Sequence, residues 1–150
     1  MLSFKDWADA WGVPKEAIDD LLSRLTVSYD MTETTGEAEA QNQIRLEAPK
    51  HNARIWRNNV GACTDNTGRF IRYGLANDSK RMNKHIKSSD LIGITTNDAG
   101  YGIFTAIEVK RPGWKYRGTA REQAQARWLT LVNTMGGIGV FATGPEGVWK

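Results

Sequence analysis

The stretch IFTAIEVK, residues 103–110, decides how this chain is interpreted. It begins as an apolar, partly β-branched run, which is typical of a buried strand. It then places Glu108 and Lys110 among apolar neighbours, although each charge is costly to bury alone. Because side chains alternate along a strand, Glu108 and Lys110 share one face and Val109 points to the other. The pattern predicts a buried strand that ends in a charged pair.

The stretch DLIGIT, residues 90–95, predicts a second strand, and NDAG at 97–100 is a hairpin signal between the two. If the turn is centred on Ala99, Asp90 lies opposite Glu108, with Cβ atoms roughly 5 Å apart. Two facing carboxylates repel each other, and a divalent cation offsets that repulsion. Because Mg²⁺ and Mn²⁺ prefer oxygen ligands, we expect Asp90 and Glu108 to hold one of these ions.

This constellation has a chemical and a structural interpretation. A metal ion between two carboxylates polarises a phosphoryl oxygen and activates water, while Lys110 orients the nucleophile or stabilises the developing negative charge. These are the groups that catalyse phosphodiester hydrolysis in metal-dependent enzymes. The structural alternative is a surface hairpin in which Asp90 caps a strand and Glu108 and Lys110 form an exposed ion pair.

The rest of the larger part of the chain alternates between helix and strand patterns. A capping box at Thr119 and Glu122 begins a helix with an apolar stripe, and Gly136 ends it. We expect an α/β fold in the order α-β-β-β-α-β, with a small mixed sheet flanked by helices. The segment at 59–68 reads as a loop, and 147–150 is a possible edge strand. The other predicted elements are a helix at 34–48 and strands at 53–58, 69–75 and 138–142.

Residues 1–30 are predicted to form a separate helical appendage, followed by a polar linker and a main domain at 31–150. Two short helices joined by Gly12 and Val13 have the spacing of a helix-turn-helix. The second helix carries Glu16, Asp19 and Asp20, which is the wrong charge for approaching phosphates. Packing against the main domain or against a partner is the alternative interpretation.

Composition and charge narrow the classes of partner. The chain has 150 residues, one cysteine and no membrane-length apolar run or signal-peptide pattern, so we expect a soluble cytoplasmic protein without a membrane partner. The net charge is +3, but residues 1–30 carry −3 and the remainder carries +6. Residues 45–87 hold ten basic and three acidic side chains. This asymmetry favours a polyanionic partner.

Several motifs occur together in a recognisable order. In chain order, the motifs are GEAEAQ, WRNNVGA, SDLIGI, IEVK and QARWLTLVNTMGG. Together they resemble the PD-(D/E)XK nuclease superfamily, and within it the virus-type replication-repair nuclease (VRR-NUC) branch, over about residues 35–143. The resemblance implies a restriction-endonuclease-like core in a bacterial or phage protein. It does not cover the N-terminal appendage.

The resemblance also implies roles for individual residues. Asp90 and Glu108 would hold Mg²⁺ or Mn²⁺ together with the backbone carbonyl of Val109, and Glu37 would contact the metal through water. Gln41 would support the site. Glu37 has an alternative role as the acidic half of a capping box with Thr34, and Gln123 is the neighbouring candidate for Gln125. The implied catalytic residues are Glu37, Asp90, Glu108, Lys110 and Gln125.

Family members of this size are similar to structure-selective enzymes that cut branched DNA, such as four-way junctions, as homodimers. We therefore expect a branched-DNA partner, a homodimer and no organic cofactor. The alternatives are a catalytically idle DNA-binding or scaffolding module and a sequence-specific restriction-type nuclease. Trp56 and Trp128 are predicted core residues, whereas Trp114 and Tyr116 are candidates for base stacking. The predicted DNA-contacting residues are Arg72, Lys80, Arg81, Lys84, Lys87, Arg111, Lys115 and Arg117.

Overall fold

The computed structural model describes residues 8–17 and 36–149. The chain divides into two compact units, residues 1–33 and 34–150. In the first unit, residues 8–10 and 15–17 are helical, and Gly12 between them has a φ of 61°. The rest of the predicted helical appendage, including Asp19 and Asp20, lies outside the described residues.

The second unit contains a mixed four-stranded sheet and a smaller two-stranded sheet. In the larger sheet the strand order is β1-β4-β5-β6, with the first two pairings antiparallel and the β5–β6 pairing parallel. Strands β2 and β3 form the smaller antiparallel sheet. The expected α/β class with a mixed sheet is therefore confirmed. In chain order the elements are α1 (Gly36–Glu47), a 3₁₀ turn (Ala48–His51), β1 (Ala53–Arg57), β2 (Gly61–Thr64), β3 (Phe70–Tyr73), α2 (Lys80–His85), β4 (Leu91–Thr96), β5 (Gly102–Val109), α3 (Ala120–Thr134), β6 (Ile138–Ala142) and a 3₁₀ turn (Pro145–Gly147).

The larger sheet with α1 and α3 has the expected order α-β-β-β-α-β, and the β2–β3 hairpin and α2 are inserted between β1 and β4. Two local predictions were wrong. The segment at 59–68 contains strand β2, and the described residues of the edge strand predicted at 147–150 form no strand, since Gly147 ends a 3₁₀ turn. Among the described residues, no helix combines the length and the apolar character needed to cross a membrane.

Alternation along β5 separates two apolar cores on opposite faces of the sheet. Ile107 and Val109 pack in a cluster with Ile44 of α1 and Leu91 of β4. Ala106 belongs to a second cluster with residues of α3. Since neighbouring strand residues point to opposite faces, Glu108 lies on the same face as Ala106, beside α3. Glu108 and Lys110, at the end of β5, are both buried. The charged end of this strand therefore lies between the sheet and α3.

Helix α3 is fixed at both ends. At its start the Thr119 side chain accepts from the backbone of Glu122, whose carboxylate accepts from the Thr119 backbone. This is the predicted capping box. At its end, Asn133 exchanges two hydrogen bonds with the backbone of Gly139 at the start of β6. A Cβ at Gly139 would lie 2.5 Å from the carbonyl oxygen of Leu129, so only glycine permits this approach of α3 to the sheet.

Candidate active site

The β4–β5 hairpin brings Asp90 to Glu108. The strands pair with Leu91 opposite Ile107 and Thr96 opposite Gly102, which is the predicted register. One residue beyond the last pair, Asp90 therefore lies opposite Glu108. The Asp90 carboxylate accepts a hydrogen bond from the backbone N–H of Val109 at 3.0 Å. The two acidic residues consequently stand side by side at one end of the hairpin.

Glu108, Lys110 and Gln125 form a buried polar network on the α3 side of the sheet. Their residues are 2%, 9% and 3% exposed, respectively. Lys110 Nζ donates to Glu108 Oε1 at 2.8 Å and to Gln125 Oε1 at 3.1 Å, and Gln125 Nε2 donates to Glu108 Oε1. The alternative of an exposed ion pair is therefore wrong. Gln125, rather than Gln123, is the amide that reaches the charged pair, because Gln123 donates to the carbonyl of Gly118.

The surroundings of Glu108 favour its protonated form. Burial raises the pKa of the Glu108 carboxyl to about 7, and the charge of Asp90 adds to this rise. The hydrogen bond and charge of Lys110, and the charge of Arg121, oppose it. Near neutral pH the carboxyl is thus poised between its two states. A cation bound between Asp90 and Glu108 would favour the ionised form.

Hydrogen bonds tie the segment before Asp90 to the residue that follows β1 and to α3. The side-chain amide of Asn58 donates to the carbonyl of Ser89 at 2.8 Å, and its backbone N–H donates to the carbonyl of Asp90 at 2.8 Å. Ser89 accepts from Trp128 Nε1 on α3 at 3.2 Å. The backbone N–H of Lys87 donates to the carbonyl of Ala124. The position of Asp90 relative to Gln125 is therefore set by several independent hydrogen bonds.

A cavity of about 380 Å³ opens beside this network. Asp90, Glu108 and Gln125 line it, together with the cationic side chains of Arg72, Lys87 and Arg121. A second cavity of about 440 Å³ is also lined by Asp90 and includes Gln41 of α1. Glu37 lines neither cavity and is half-buried in the first turn of α1. The structure thus brings together Asp90, Glu108, Lys110 and Gln125, and Gln41 shares the second cavity with Asp90.

The donor set at Asp90 and Glu108 is compatible with a hydrated hard cation. Within residues 8–17 and 36–149, no group of three or more His, Cys, Asp or Glu side chains is arranged to hold a metal ion. Mg²⁺ does not require such a group, because it is commonly held by one or two carboxylates and keeps several waters. The repulsion between the two carboxylates is relieved by such an ion. The pair therefore fits Mg²⁺ or Mn²⁺ without direct coordination by Glu37.

The candidate DNA-contacting residues fall into two groups. Arg72 and Lys87 line the cavity beside the carboxylates. Arg121 also lines it and was missed by the sequence analysis, although it lies one helical turn before Gln125 and a shared helix face was a usable signal. The remaining candidates are exposed, on α2 or in the loop between β5 and α3: Lys80, Arg81, Lys84, Arg111, Lys115 and Arg117.

Of the two tryptophans predicted to lie in the core, Trp128 packs against it and Trp56 does not. Trp56 is 54% exposed on β1, so its assignment to the core was wrong. Trp128 is half-buried and packs against the α3-side core. Trp114 lies beside Phe141, with ring centroids 5.0 Å apart, and its Nε1 donates to Glu122. Lys110 Nζ lies 5.7 Å from the ring centroid of Trp114, so this tryptophan packs beside the lysine.

The site combines two neighbouring carboxylates, a buried ammonium group and an amide that contacts both partners of the ion pair. Such a set can hold a hard cation, orient water and stabilise negative charge on a phosphate. No family model, no curated protein and no solved structure matches this chain.

Proposed function

We propose that this chain is a Mg²⁺- or Mn²⁺-dependent nuclease that hydrolyses DNA phosphodiesters. The observation that carries the proposal is the placement of Asp90 and Glu108 at the same hairpin end, lining one cavity, with Lys110 bonded to Glu108. The α-β-β-β-α-β order of the larger sheet and its helices is compatible with a restriction-endonuclease-like core of the VRR-NUC type. That family assignment is part of the proposal.

Each residue of the network has a separate task in this mechanism. Asp90 and Glu108 would hold the metal ion, which supplies Lewis acidity toward the phosphoryl oxygen. Lys110, which is bonded to Glu108 at the cavity, would stabilise the developing negative charge and orient the attacking water. Gln125 binds both Lys110 and Glu108, so it fixes the direction of the ammonium group. Trp114 and Phe141 cover Lys110 and reduce its contact with water.

The distribution of charge supports a nucleic-acid substrate. The candidate DNA-contacting side chains lie on α2, in the loop between β5 and α3, and at the cavity. These positions suit contacts with the sugar-phosphate backbone more than with base edges, so little base-specific readout is expected. We propose branched DNA as the substrate and a homodimer as the acting form, since two such sites would face two strands of a junction.

A cleavage assay tests the proposed function. Asp90→Asn and Glu108→Gln keep side-chain size but remove the charges that hold the cation, so each should lower the Mn²⁺-dependent cleavage rate by about 100-fold or more while DNA binding persists. The assay compares duplex, flap, splayed and four-way DNA. Asp98→Asn is the matched control, because Asp98 is exposed in the turn at the opposite end of the same hairpin and should retain full activity.

Two results would contradict the proposal. Cleavage that survives either active-site variant would remove that carboxylate from the reaction. DNA binding without Mn²⁺-dependent cleavage of any of the four substrates would favour the idle DNA-binding module instead.

A further inference from the structure

Three cationic side chains line the cavity beside Asp90 and Glu108 without an acidic partner. Arg72, Lys87 and Arg121 make no ion pair within 4.0 Å with any carboxylate of the described part of the chain. By contrast, Lys110 pairs with Glu108. With only Asp90 and Glu108 as carboxylates on the same lining, the three cations leave a positive excess, which favours an anion that accepts charge-assisted hydrogen bonds from them.

The guanidinium of Arg72 is held in place by a buried asparagine. Asn77 is 3% exposed, and its amide donates to the carbonyls of Gly61 at 2.7 Å and Tyr73 at 2.9 Å. Its Oδ1 accepts from Arg72 Nη1 at 3.2 Å. The Arg72 guanidinium also lies 5.3 Å from the ring centroid of Phe70. The asparagine therefore fixes both strands of the β2–β3 hairpin and the direction of the arginine on it.

The other two cations come from different elements. Lys87 precedes β4, and its Nζ donates to Asn83 Oδ1 of α2 at 2.6 Å. Arg121 lies in the first turn of α3, one turn before Gln125. The hairpin, the segment before β4 and α3 thus each contribute one cation to the same space. Convergence from three elements on one cavity distinguishes this group from the basic side chains of α2, which do not line that cavity.

We propose that Arg72, Lys87 and Arg121 form a clamp for the phosphate that is cleaved, and that Asn77 is the positioning residue for Arg72. The proposal rests on the proposed nuclease function, because the clamped phosphate lies beside Asp90 and Glu108. A cavity of about 380 Å³ has room for one phosphate with its nucleoside. The clamp therefore acts on a single nucleotide unit, and it should bind a mononucleotide as well as DNA.

Binding of thymidine 5′-monophosphate in EDTA tests the clamp without cleavage. Removing one charge-assisted contact should weaken the affinity about tenfold in Arg72→Ala, Lys87→Ala and Arg121→Ala, measured by calorimetry. Arg69→Ala is the matched control. It removes the same charge from the same hairpin, but its side chain is 78% exposed and does not line this cavity, so the affinity should change less than twofold. Equal affinities of Arg72→Ala and Arg69→Ala would overturn the clamp.

A double-mutant cycle tests the role of Asn77. Asn77→Ala should weaken mononucleotide binding severalfold in the wild-type background and should have no further effect once Arg72 is alanine. A general loss of structure would instead weaken binding in both backgrounds and would overturn the positioning role. If Asn77→Ala does not fold, Arg72→Lys replaces it. This variant keeps the charge but cannot form the guanidinium fork, so a severalfold loss of affinity supports a directed contact and an unchanged affinity contradicts it.

Hydrolysis of thymidine 5′-p-nitrophenyl phosphate with Mn²⁺ separates the two proposals. The three clamp variants should lower the rate on this minimal diester about tenfold, whereas Lys50→Ala should not change it, because Lys50 is exposed, pairs with Glu47 and does not line the cavity. If the wild type binds the mononucleotide through the clamp but cleaves neither this diester nor DNA, the nuclease function fails and the phosphate site stands. If cleavage is normal in the clamp variants, the clamp fails and the nuclease function stands.

Discussion

Glu108 is the residue at which burial, charge and the proposed chemistry meet. Its carboxylate is almost inaccessible, it faces Asp90, and it binds Lys110. Burial and the neighbouring carboxylate act in the same direction and raise its pKa to about 7. The lysine only partly offsets this effect. An ionised carboxylate in this position destabilises the folded state at neutral pH, and a bound cation would offset that destabilisation.

We predict that Glu108 makes the folded state less stable as the pH rises. The folded carboxyl has a pKa of about 7 against 4.5 for the ordinary group, so between these values the folded state binds more protons than the unfolded state. The free energy of unfolding therefore falls as the pH increases from 4.5 to 7, by up to about 3 kcal/mol from this residue. Chemical denaturation of the wild type and Glu108→Gln in EDTA measures the difference, and parallel pH profiles would contradict it.

At the scale of elements, α3 connects the site to the rest of the sheet. It contributes Arg121 and Gln125 to the cavity, while Trp128 binds the segment before Asp90. Its N-terminus is fixed by Glu122, which also accepts hydrogen bonds from Trp114 Nε1 and from the backbone of Arg117. Hydrogen bonds lower the pKa of the Glu122 carboxyl, and the largest contribution comes from the backbone N–H of Thr119. The cap therefore aligns both the helix and the loop that precedes it.

We predict that Thr119→Ala lowers the free energy of unfolding by about 1 kcal/mol, because the backbone N–H of Glu122 loses its acceptor at the N-cap. Urea denaturation at constant pH measures this change. Thr130→Ala is the control, since Thr130 is exposed on the same helix and its change should stay within about 0.5 kcal/mol. A stability equal to that of the wild type would mean that water replaces the cap without loss.

At the scale of the whole molecule, the candidate DNA-contacting side chains of the second unit lie at the cavity, on α2 and in the loop before α3. The cavity cations lie next to the carboxylates, and the exposed candidates lie on α2 and before α3. Each phosphate neutralised by such a side chain releases condensed counterions, which makes affinity depend on salt. The exposed residues should therefore set the strength of DNA binding, whereas on the proposed mechanism the cavity residues would bind the phosphate that is cleaved.

We predict that Lys84→Ala and Arg117→Ala each weaken binding and reduce the slope of log affinity against log salt by about 1. Fluorescence anisotropy with labelled four-way DNA between low and moderate salt, in the presence of EDTA, measures the slope. Lys50→Ala is the control, because Lys50 is exposed beside Glu47, with which it forms an ion pair at 2.9 Å. A slope that is unchanged in Lys84→Ala or Arg117→Ala would remove that residue from the binding surface.

Local sequence patterns were sufficient for the elements that bear the site. The apolar alternation and the turn signal predicted the β4–β5 register, and with it the facing positions of Asp90 and Glu108. The capping box predicted the start of α3. These features depend on residues close together in the chain, where periodicity and turn chemistry act directly. Strand β2 and helix α2 escaped prediction because Gly61–Thr64 contains no large apolar residue and Lys80–His85 spans only six residues with one apolar side chain, so neither shows a clear period.

The sequence by itself determined the α/β class, the hairpin and the charged pair at its end, because these follow from short-range periodicity. Only the tertiary structure decided which distant side chains meet there. It selected Gln125 over Gln123, brought Arg121 and the Asn77–Arg72 pair to the cavity, and left Glu37 out of the cavity lining. The physical reason is that such contacts depend on how a helix and an inserted hairpin pack against the sheet, which no local spacing specifies.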